Sequence, residues 1–222
     1  MQTVNETPIS QLMDYCKARK HFYQLLQVLF YQPLTELTLA QLKEQGNLHD
    51  LQDMGQGGQL LYPFLMKATG SDLLKAKEDF NQLFVGPGSI LAPPWESVYR
   101  SREHLLFDKT THQVRKQYHD FGLQFIQENN EPDDHLIIEL EFMMHLNDLC
   151  LNEDHHNRLA ELLPKQIYFL DEHLSQWIPL FTEKIMKSAQ TDLYKGAGML
   201  LNDFLLFDID SLKEFEGAMT NV

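Results

Sequence analysis

The chain has 222 residues, a length typical of one large domain, and 43% of them are hydrophobic. This composition excludes a disordered tail, because it supplies ample apolar material for a core. The formal net charge of −14 at pH 7 argues against nucleic acid or an anionic membrane as the main partner, since charges of like sign repel. It favours a basic partner, or simply serves solubility.

Helical periodicity dominates the chain. Apolar residues recur at three- and four-residue steps in residues 8–30, and Pro33 ends that helix. Alternation of β-branched residues is nowhere sustained, so the sequence predicts an all-α protein of eight to ten helices. One later helix is expected to follow an N-cap at Ser71-Asp72 and to end at Phe84. The others are expected at 35–45, 57–69, 98–107, 111–121, 132–151, 155–176, 179–187 and 189–207.

Cysteine usage and the N-terminus bear on the compartment. Only Cys16 and Cys150 occur, without a CxxC pair, so neither a disulfide scaffold nor a structural zinc site is indicated. The N-terminal MQTVNETPIS lacks the basic and apolar regions of a secretory signal. No apolar run approaches the roughly 18 to 20 residues that cross a bilayer. We therefore expect a cytoplasmic protein without stable membrane insertion.

The stretch VGPGSILAPPW, at residues 85–95, interrupts the helices. It contains two glycines, three prolines and no charge, and its Pro93-Pro94 pair excludes a helix. The stretch is unusually apolar for a loop. An indole in such a loop, Trp95, suits a contact residue, although an ordinary core position would suit it too.

The segment EPDDH, at residues 131–135, precedes the most apolar run of the chain. Pro132 suits the first turn of a helix, where its missing N–H costs nothing. Glu131, Asp133 and Asp134 would cap that helix and complement the positive end of its dipole. Because apolar residues follow on nearly all sides, the body of this helix is expected to be buried.

A metal-binding protein or hydrolase is the alternative for this helix. Its candidate residues are Asp134, His135, Glu139, Glu141 and His145. At about 100° per residue, the His135–Glu139 pair and the Glu141–His145 pair fall on different faces. Neither HExxH nor a repeated Glu-x-x-His motif is present. We therefore expect no metal site, no catalytic residue and no enzyme.

Charge is unevenly distributed around this helix. Between Lys116 and Arg158 the chain has ten Asp and Glu residues and no Lys or Arg. Such a run predicts a negative field that attracts a basic segment. Together with the apolar loop, it suits a ligand with a basic end and an apolar continuation, as in a targeting peptide.

Two motifs carry a resemblance to a known family. They are FNQLFVGPGSILAPPWESVYRSRE, at residues 80–103, and EPDDH. They resemble the TorD/DmsD/NarJ family of redox-enzyme maturation chaperones, with the DmsD-like branch closest, and the helical pattern is similar over most of the chain. The resemblance implies a cytoplasmic all-α chaperone that binds the twin-arginine signal peptide of an exported molybdenum-containing reductase. Binding would delay export until the cofactor is inserted.

The resemblance also implies a signal-peptide site. In the DmsD-like branch the matching residues line that site and a hinge. Asp134 suits arginine recognition, because a carboxylate accepts a bidentate guanidinium pair, but N-capping explains it equally well. The implied site residues are Tyr31, Phe80, Leu83, Phe84, Pro94, Trp95, Tyr99, Glu131, Pro132, Asp134 and His135. The helical spacing of Phe80, Leu83 and Phe84 suits core positions as well, and His135 would also suit a cap within the hinge.

Three positions depart from that branch. Phe80 and Tyr99 stand where the branch commonly has Trp, and Gly88 replaces another Trp. Because the indoles contribute to the implied pocket, their loss points to a different leader peptide, not to a different family.

The implied organisation is one chaperone domain with an N-terminal part (1–126), a hinge (127–134) and a C-terminal part (135–222). A monomer and a dimer that exchanges the C-terminal part both remain open. We expect no cofactor; guanine-nucleotide binding has been suggested for some family members, but no motif here supports it.

Overall fold

The fold is helical throughout the residues that the computed structural model describes, which are 7–45, 48–103, 106–128, 130–153 and 155–220. No strand forms in these ranges, and none of their helices is long and apolar enough to cross a membrane. The prediction of an all-α fold is confirmed. The helices are α1 (Pro8–Tyr31), α2 (Glu36–Gln45), α3 (Gly55–Lys67), α4 (Gly70–Phe80), α5 (Glu96–Arg100), α6 (Lys109–Asp120), α7 (Leu136–Leu151), α8 (His156–Phe169), α9 (Ser175–Ser188) and α10 (Asp192–Thr220).

Shorter helical turns complete these elements. A 3-10 helix spans Leu48–Asp53, and π-helical turns at Asn81–Val85 and Leu170–Leu174 extend α4 and α8. The predicted N-cap of α4 at Ser71-Asp72 is wrong, because Thr69 is the N-cap. The Asp72 carboxylate accepts from the Thr69 N–H at 3.0 Å, and the Thr69 side chain accepts from the Asp72 N–H, which together form a capping box.

Three predicted helix boundaries are also wrong. The helix expected at 98–107 is the short α5, which ends at Arg100; His104 and Leu105 lie outside the described residues. The expected break before Pro179 is absent, because the π-helical turn leads directly into α9, which begins at Ser175 and includes Pro179. The last helix, expected to end near 207, continues to Thr220.

A single core is built from both parts of the chain. Helix α1 packs along α7, and α10 packs against α3 and α9. Two glycines permit the close approach of α3 and α10, since a Cβ added to Gly196 would lie 2.8 Å from the carbonyl oxygen of Gly57. The N-terminal and C-terminal parts therefore share buried surface instead of forming separate cores.

A buried ion pair joins the first and last helices. Arg19 Nε donates to Asp208 Oδ1 at 2.6 Å, and both side chains are fully buried. The hydroxyls of Tyr15 and Tyr23 donate to the same carboxylate, each at 2.6 Å. Arg19 also donates to Asn147 on α7. This network fixes the relative positions of α1, α7 and α10, and no sequence motif marks it.

The two cysteines meet in the same region. Cys16 on α1 and Cys150 on α7 are free and buried, and a hydrogen bond between their thiols raises the pKa of Cys16. Gln166 Nε2 donates to Cys150 Sγ at 3.1 Å. The cysteines thus belong to the packing of α1 against α7 and α8.

Candidate functional site

The apolar loop and the EPDDH segment meet in the fold. Trp95 pairs with His135 in an antiparallel β-bridge, and their rings pack edge to face with centroids 5.3 Å apart. Leu136 N donates to Pro94 O at 2.9 Å. We call this contact, between residues 93–96 and residues 132–136, the motif junction. It brings together the two motifs on which the family resemblance rests.

The apolar loop at residues 85–95 leads to the motif junction. One side of the loop packs on the protein, and the other side is exposed to solvent. Gly86 has φ of 104°, a conformation that favours glycine. Ala92 N donates to Leu83 O at 2.8 Å, which holds the loop on the π-helical turn. Val85 is 60% exposed and Leu91 is 38% exposed. The loop therefore presents an apolar surface to solvent.

The EPDDH segment lies before α7 and does not form its first turn. The N-cap of α7 is His135, whose Nδ1 accepts from Ile137 N at 3.1 Å, and the helix begins at Leu136. Pro132 is buried ahead of the helix. The predicted place of Pro132 in the first turn, and the predicted capping of α7 by the acidic residues of the segment, are therefore wrong.

The two aspartates of this segment are fully buried and paired within the protein. Asp134 accepts from Ser97 N at 2.6 Å and from Thr111 Oγ1 at 2.8 Å, so it caps α5. Asp133 forms an ion pair with Arg115 at 2.6 Å. Burial raises the pKa of Asp134. In this conformation Asp134 is enclosed, and a guanidinium could reach it only if the motif junction opened.

His135 leads to a prediction for the pH dependence of stability. Burial lowers its pKa to about 4, against about 6.5 in an unfolded chain. Between these values the unfolded state binds a proton that the folded state does not, so the contribution of His135 is complete above about pH 6.5 and is lost as the pH falls towards about 4. We expect His135→Asn, which keeps a capping acceptor, to lose less stability over this range in urea denaturation. Equal losses in variant and wild type would contradict the assignment.

The acidic run between Lys116 and Arg158 is only partly exposed in the fold. Asp134 and Glu139 are fully buried. Glu131 and Glu141 are exposed and form no ion pair with a described residue, whereas Asp154 lies outside the described residues. The other carboxylates of the run have partners, namely Lys116 for Asp120, Arg115 for Glu128 and Asp133, Lys20 for Asp148, and His155 for Glu153. The negative field that attracts a basic segment therefore depends mainly on Glu131 and Glu141, and it stays a prediction.

Three of the implied site residues belong to the core. Phe80, Leu83 and Phe84 are buried on α4 and on the π-helical turn that follows it. The Phe84 ring packs against Phe30 at 5.7 Å and against Phe181 at 5.8 Å between centroids. These residues support the loop from behind and do not face solvent.

Tyr99 borders a buried polar network. Its ring lies 5.5 Å from that of Trp177, whose Nε1 donates to Glu139 Oε2 at 3.0 Å. Burial, together with the nearby Glu96 carboxylate, raises the pKa of Glu139 well above its usual range. Glu96 pairs with His173 at 3.0 Å. The network is enclosed by the core.

The candidate residues for a metal or hydrolytic site do not converge. Within the described ranges, no group of three or more His, Cys, Asp or Glu side chains is placed to hold a metal ion. Glu139 is buried in the core, whereas Glu141 is exposed at the surface. Because Glu139 and Glu141 are two residues apart on α7, their side chains lie on different faces of the helix.

Tyr31 stands at an open pocket where α1 meets the start of α7. Its side chain is 67% exposed, and it lines a cavity of about 240 Å³ together with Gln27, Val28, Ile137 and Glu141. A larger cavity, of about 790 Å³, continues along α1 from Gln27 and Val28. Among the residues implied by the resemblance, Tyr31 lines the smaller cavity. Sequence patterns do not reveal that Glu141 lies beside it.

The fold and site define an all-α protein whose two parts share a core and meet at a proline-rich junction, with an open pocket beside it. The family model of the nitrate reductase delta subunit matches residues 47–183, which is more than half of the chain. The chain belongs to the nitrate reductase delta subunit family. The resemblance to the TorD/DmsD/NarJ family is therefore confirmed at the level of the family.

Individual relatives extend the similarity to most of the chain. The chaperone protein TorD of Vibrio cholerae serotype O1 (strain El Tor Inaba N16961) is 29% identical over 204 residues, which cover 88% of this chain and 92% of that protein. The chaperone protein TorD of Aliivibrio fischeri is 26% identical over 215 residues, which cover 92% and 99%. The chaperone protein TorD of Vibrio vulnificus is 31% identical over 141 residues, which cover 63% and 65%.

Proposed function

We propose that this protein is a chaperone of molybdoenzyme maturation that binds the twin-arginine signal peptide of an exported molybdenum-containing reductase. The similarity to TorD chaperones over 88% of the chain is the observation that carries this proposal. Binding would mask the leader in the cytoplasm until the reductase has received its cofactor. The chaperone would catalyse no reaction and need no cofactor; guanine nucleotide has no supporting motif and is not part of the proposal.

The leader would bind beside the motif junction. The exposed ring of Tyr31 offers an aromatic face to a guanidinium, and the carboxylate of Glu141 in the same pocket offers it an acceptor. Trp95 is half-buried, and its Nε1 has no hydrogen-bond partner among the described residues. Glu131 is exposed, and His135 is half-buried. These five residues supply the aromatic and acidic groups that a basic, apolar peptide requires.

Release would involve a change at the hinge. In this hinge, at residues 127–134, Glu131 N donates to Gln127 O at 3.0 Å. Separation of Trp95 from His135 would uncover Asp134, whose carboxylate could then exchange its internal partners for an arginine. The same movement would let two copies exchange residues 135–222, because an exchanged dimer reuses the contacts of the monomer.

The placement within the family is a finer proposal. Pro94, Trp95 and the rest of the loop motif favour the DmsD-like branch, whereas the relatives described above are TorD chaperones. The two placements differ in the client reductase that they imply. Testing leaders from several molybdenum-containing reductases against one sample would distinguish them.

The retention of the precursor can be tested in cells. In a strain that lacks this protein, we expect the reductase encoded beside it to reach the far side of the membrane without cofactor and with reduced activity. Fractionation, followed by immunoblotting and assay of bound molybdenum, measures both effects, and re-expression of the protein is the control. Full cofactor content and activity in the deletion strain would contradict the proposal.

A further inference from the structure

An open groove runs along α1, away from the pocket at Tyr31. Its cavity of about 790 Å³ meets that pocket at Gln27 and Val28, which line both. The volume lies within the range of roughly 300–1,000 Å³ that is common for ligand sites. The apolar walls of this cavity, which we call the α1 groove, are Phe22, Leu25, Val28, Leu42, Leu48 and Leu51.

The charge of the lining suits a peptide with a basic end. Neither cavity has a Lys or Arg among its lining residues. Glu141 lines the pocket at Tyr31 and forms no ion pair with a described residue. Apolar walls continue from that acidic end along the α1 groove, whose lining also includes the polar side chains of His21, Gln24 and Asp50. The two cavities together therefore complement a ligand that is cationic at one end and largely apolar beyond it.

An unpartnered polar group marks the point where the cavities meet. The Nε2 atom of Gln27 is buried, yet it has no hydrogen-bond partner among the described residues. A buried donor that is left unpaired destabilises the protein, because it has lost its water without gaining another acceptor. A carbonyl of a bound peptide, placed at the junction of the two cavities, would supply the missing acceptor.

The length of the groove matches an apolar leader segment. Along α1, the residues that line the α1 groove extend from Ala18 to Val28, a distance of about 15 Å at about 1.5 Å per residue. The apolar region of a signal peptide has roughly 7–15 residues, which span about 10–22 Å as a helix. A helical leader segment would therefore fill the groove from end to end.

We propose that the α1 groove holds the apolar segment of the twin-arginine leader as a helix, with the arginines at Tyr31 and Glu141. This inference rests on the proposed function and deepens it by giving the leader a place and a direction. The direction follows because the basic region precedes the apolar region in a signal peptide. Docking of an amphipathic helix in an apolar groove is an established mode of peptide recognition.

A pair of identical substitutions tests the location. Val28→Gln places an amide in the α1 groove, whereas Val85→Gln places the same amide on the exposed apolar loop. We expect the groove variant to bind the leader about tenfold more weakly and the loop variant to bind it as the wild type does. The measurement is isothermal titration with a synthetic twin-arginine leader from the reductase encoded beside this protein. Circular dichroism confirms that both variants are folded.

The outcomes separate the two levels of the proposal. Binding to the wild type that is weakened by Val85→Gln, but not by Val28→Gln, would overturn the groove while leaving the proposed function intact. No binding to folded wild type would overturn the proposed function, and the groove with it.

Crosslinking to the wild-type protein provides a second test. A photo-reactive residue is placed at the centre of the leader's apolar segment, and the sites of crosslinking are mapped. We expect crosslinks to residues 18–31 and 48–54, and crosslinks confined to 85–95 would contradict the groove.

Discussion

Replacing Arg19 with methionine is expected to lower the free energy of unfolding by about 3–5 kcal/mol. The substitution keeps an unbranched apolar side chain but removes the guanidinium that neutralises Asp208 inside the core. Tyr15 and Tyr23 still donate to the carboxylate, yet neither carries a compensating charge. Because a charge buried without its partner is far more costly than a missing surface pair, the effect should be large. Urea denaturation at neutral pH measures it.

Lys17 provides the matched control on the same helix. It pairs with Asp14 at 2.8 Å, and both side chains are more than half exposed. Lys17→Met should therefore change the stability little. Adding Asp208→Leu to Arg19→Met should recover part of the loss, since it removes the uncompensated charge. A loss for Arg19→Met no greater than that for Lys17→Met would show that the buried pair does not hold α1 to α10.

Reversing the charge of Glu141 is expected to weaken binding of the leader by roughly tenfold or more. The variant Glu141→Arg would place a guanidinium where the proposed site receives the arginines of the peptide. Partial burial already raises the pKa of Glu141, which indicates that a nearby cation would be favourable. Stability should change little because Glu141 is exposed and has no ion-pair partner among the described residues. Isothermal titration at low and at high salt measures the effect.

The control is the same Glu→Arg substitution at a position away from the proposed site. Glu214 is exposed on α10, in the turn where Phe215 packs on Tyr15, towards the opposite end of α1 from Tyr31. Glu214→Arg alters the net charge equally but lies away from the proposed site. We expect it to weaken binding only slightly, and the difference between the two variants to shrink at high salt. Equal weakening by both would mean that the leader responds to the overall negative charge and not to a site at Glu141.

Local sequence patterns predicted where helices occur better than they predicted the residues at which the helices begin and end. The first helix, expected at 8–30, is observed at Pro8–Tyr31, because its apolar spacing and the following Pro33 both mark it. The break predicted before Pro179 was wrong because proline occurs both between helices and near the beginning of a helix. The π-helical turn before α9 has no comparable sequence signal. Boundaries set by such turns depend on packing that the local sequence does not contain.

The site was harder to predict because its groups come from distant parts of the chain. The sequence marked Trp95 and His135 through a family resemblance, and the fold places them in contact. For the carboxylate of Asp134 the sequence left arginine recognition and N-capping open. Its partners within the protein are Ser97 and Thr111, which approach only after folding. The role proposed for Glu141 likewise depends on the packing of α1 against α7.

The most direct measurement of the central claim is isothermal titration of the wild-type protein with the twin-arginine leader of the reductase encoded beside it. A peptide in which both arginines are replaced by lysine is the control, because lysine keeps the charge but lacks the bidentate guanidinium. The account predicts saturable binding that weakens with salt and weakens further with the lysine peptide. Absence of binding to folded protein, or equal affinity for both peptides, would contradict it.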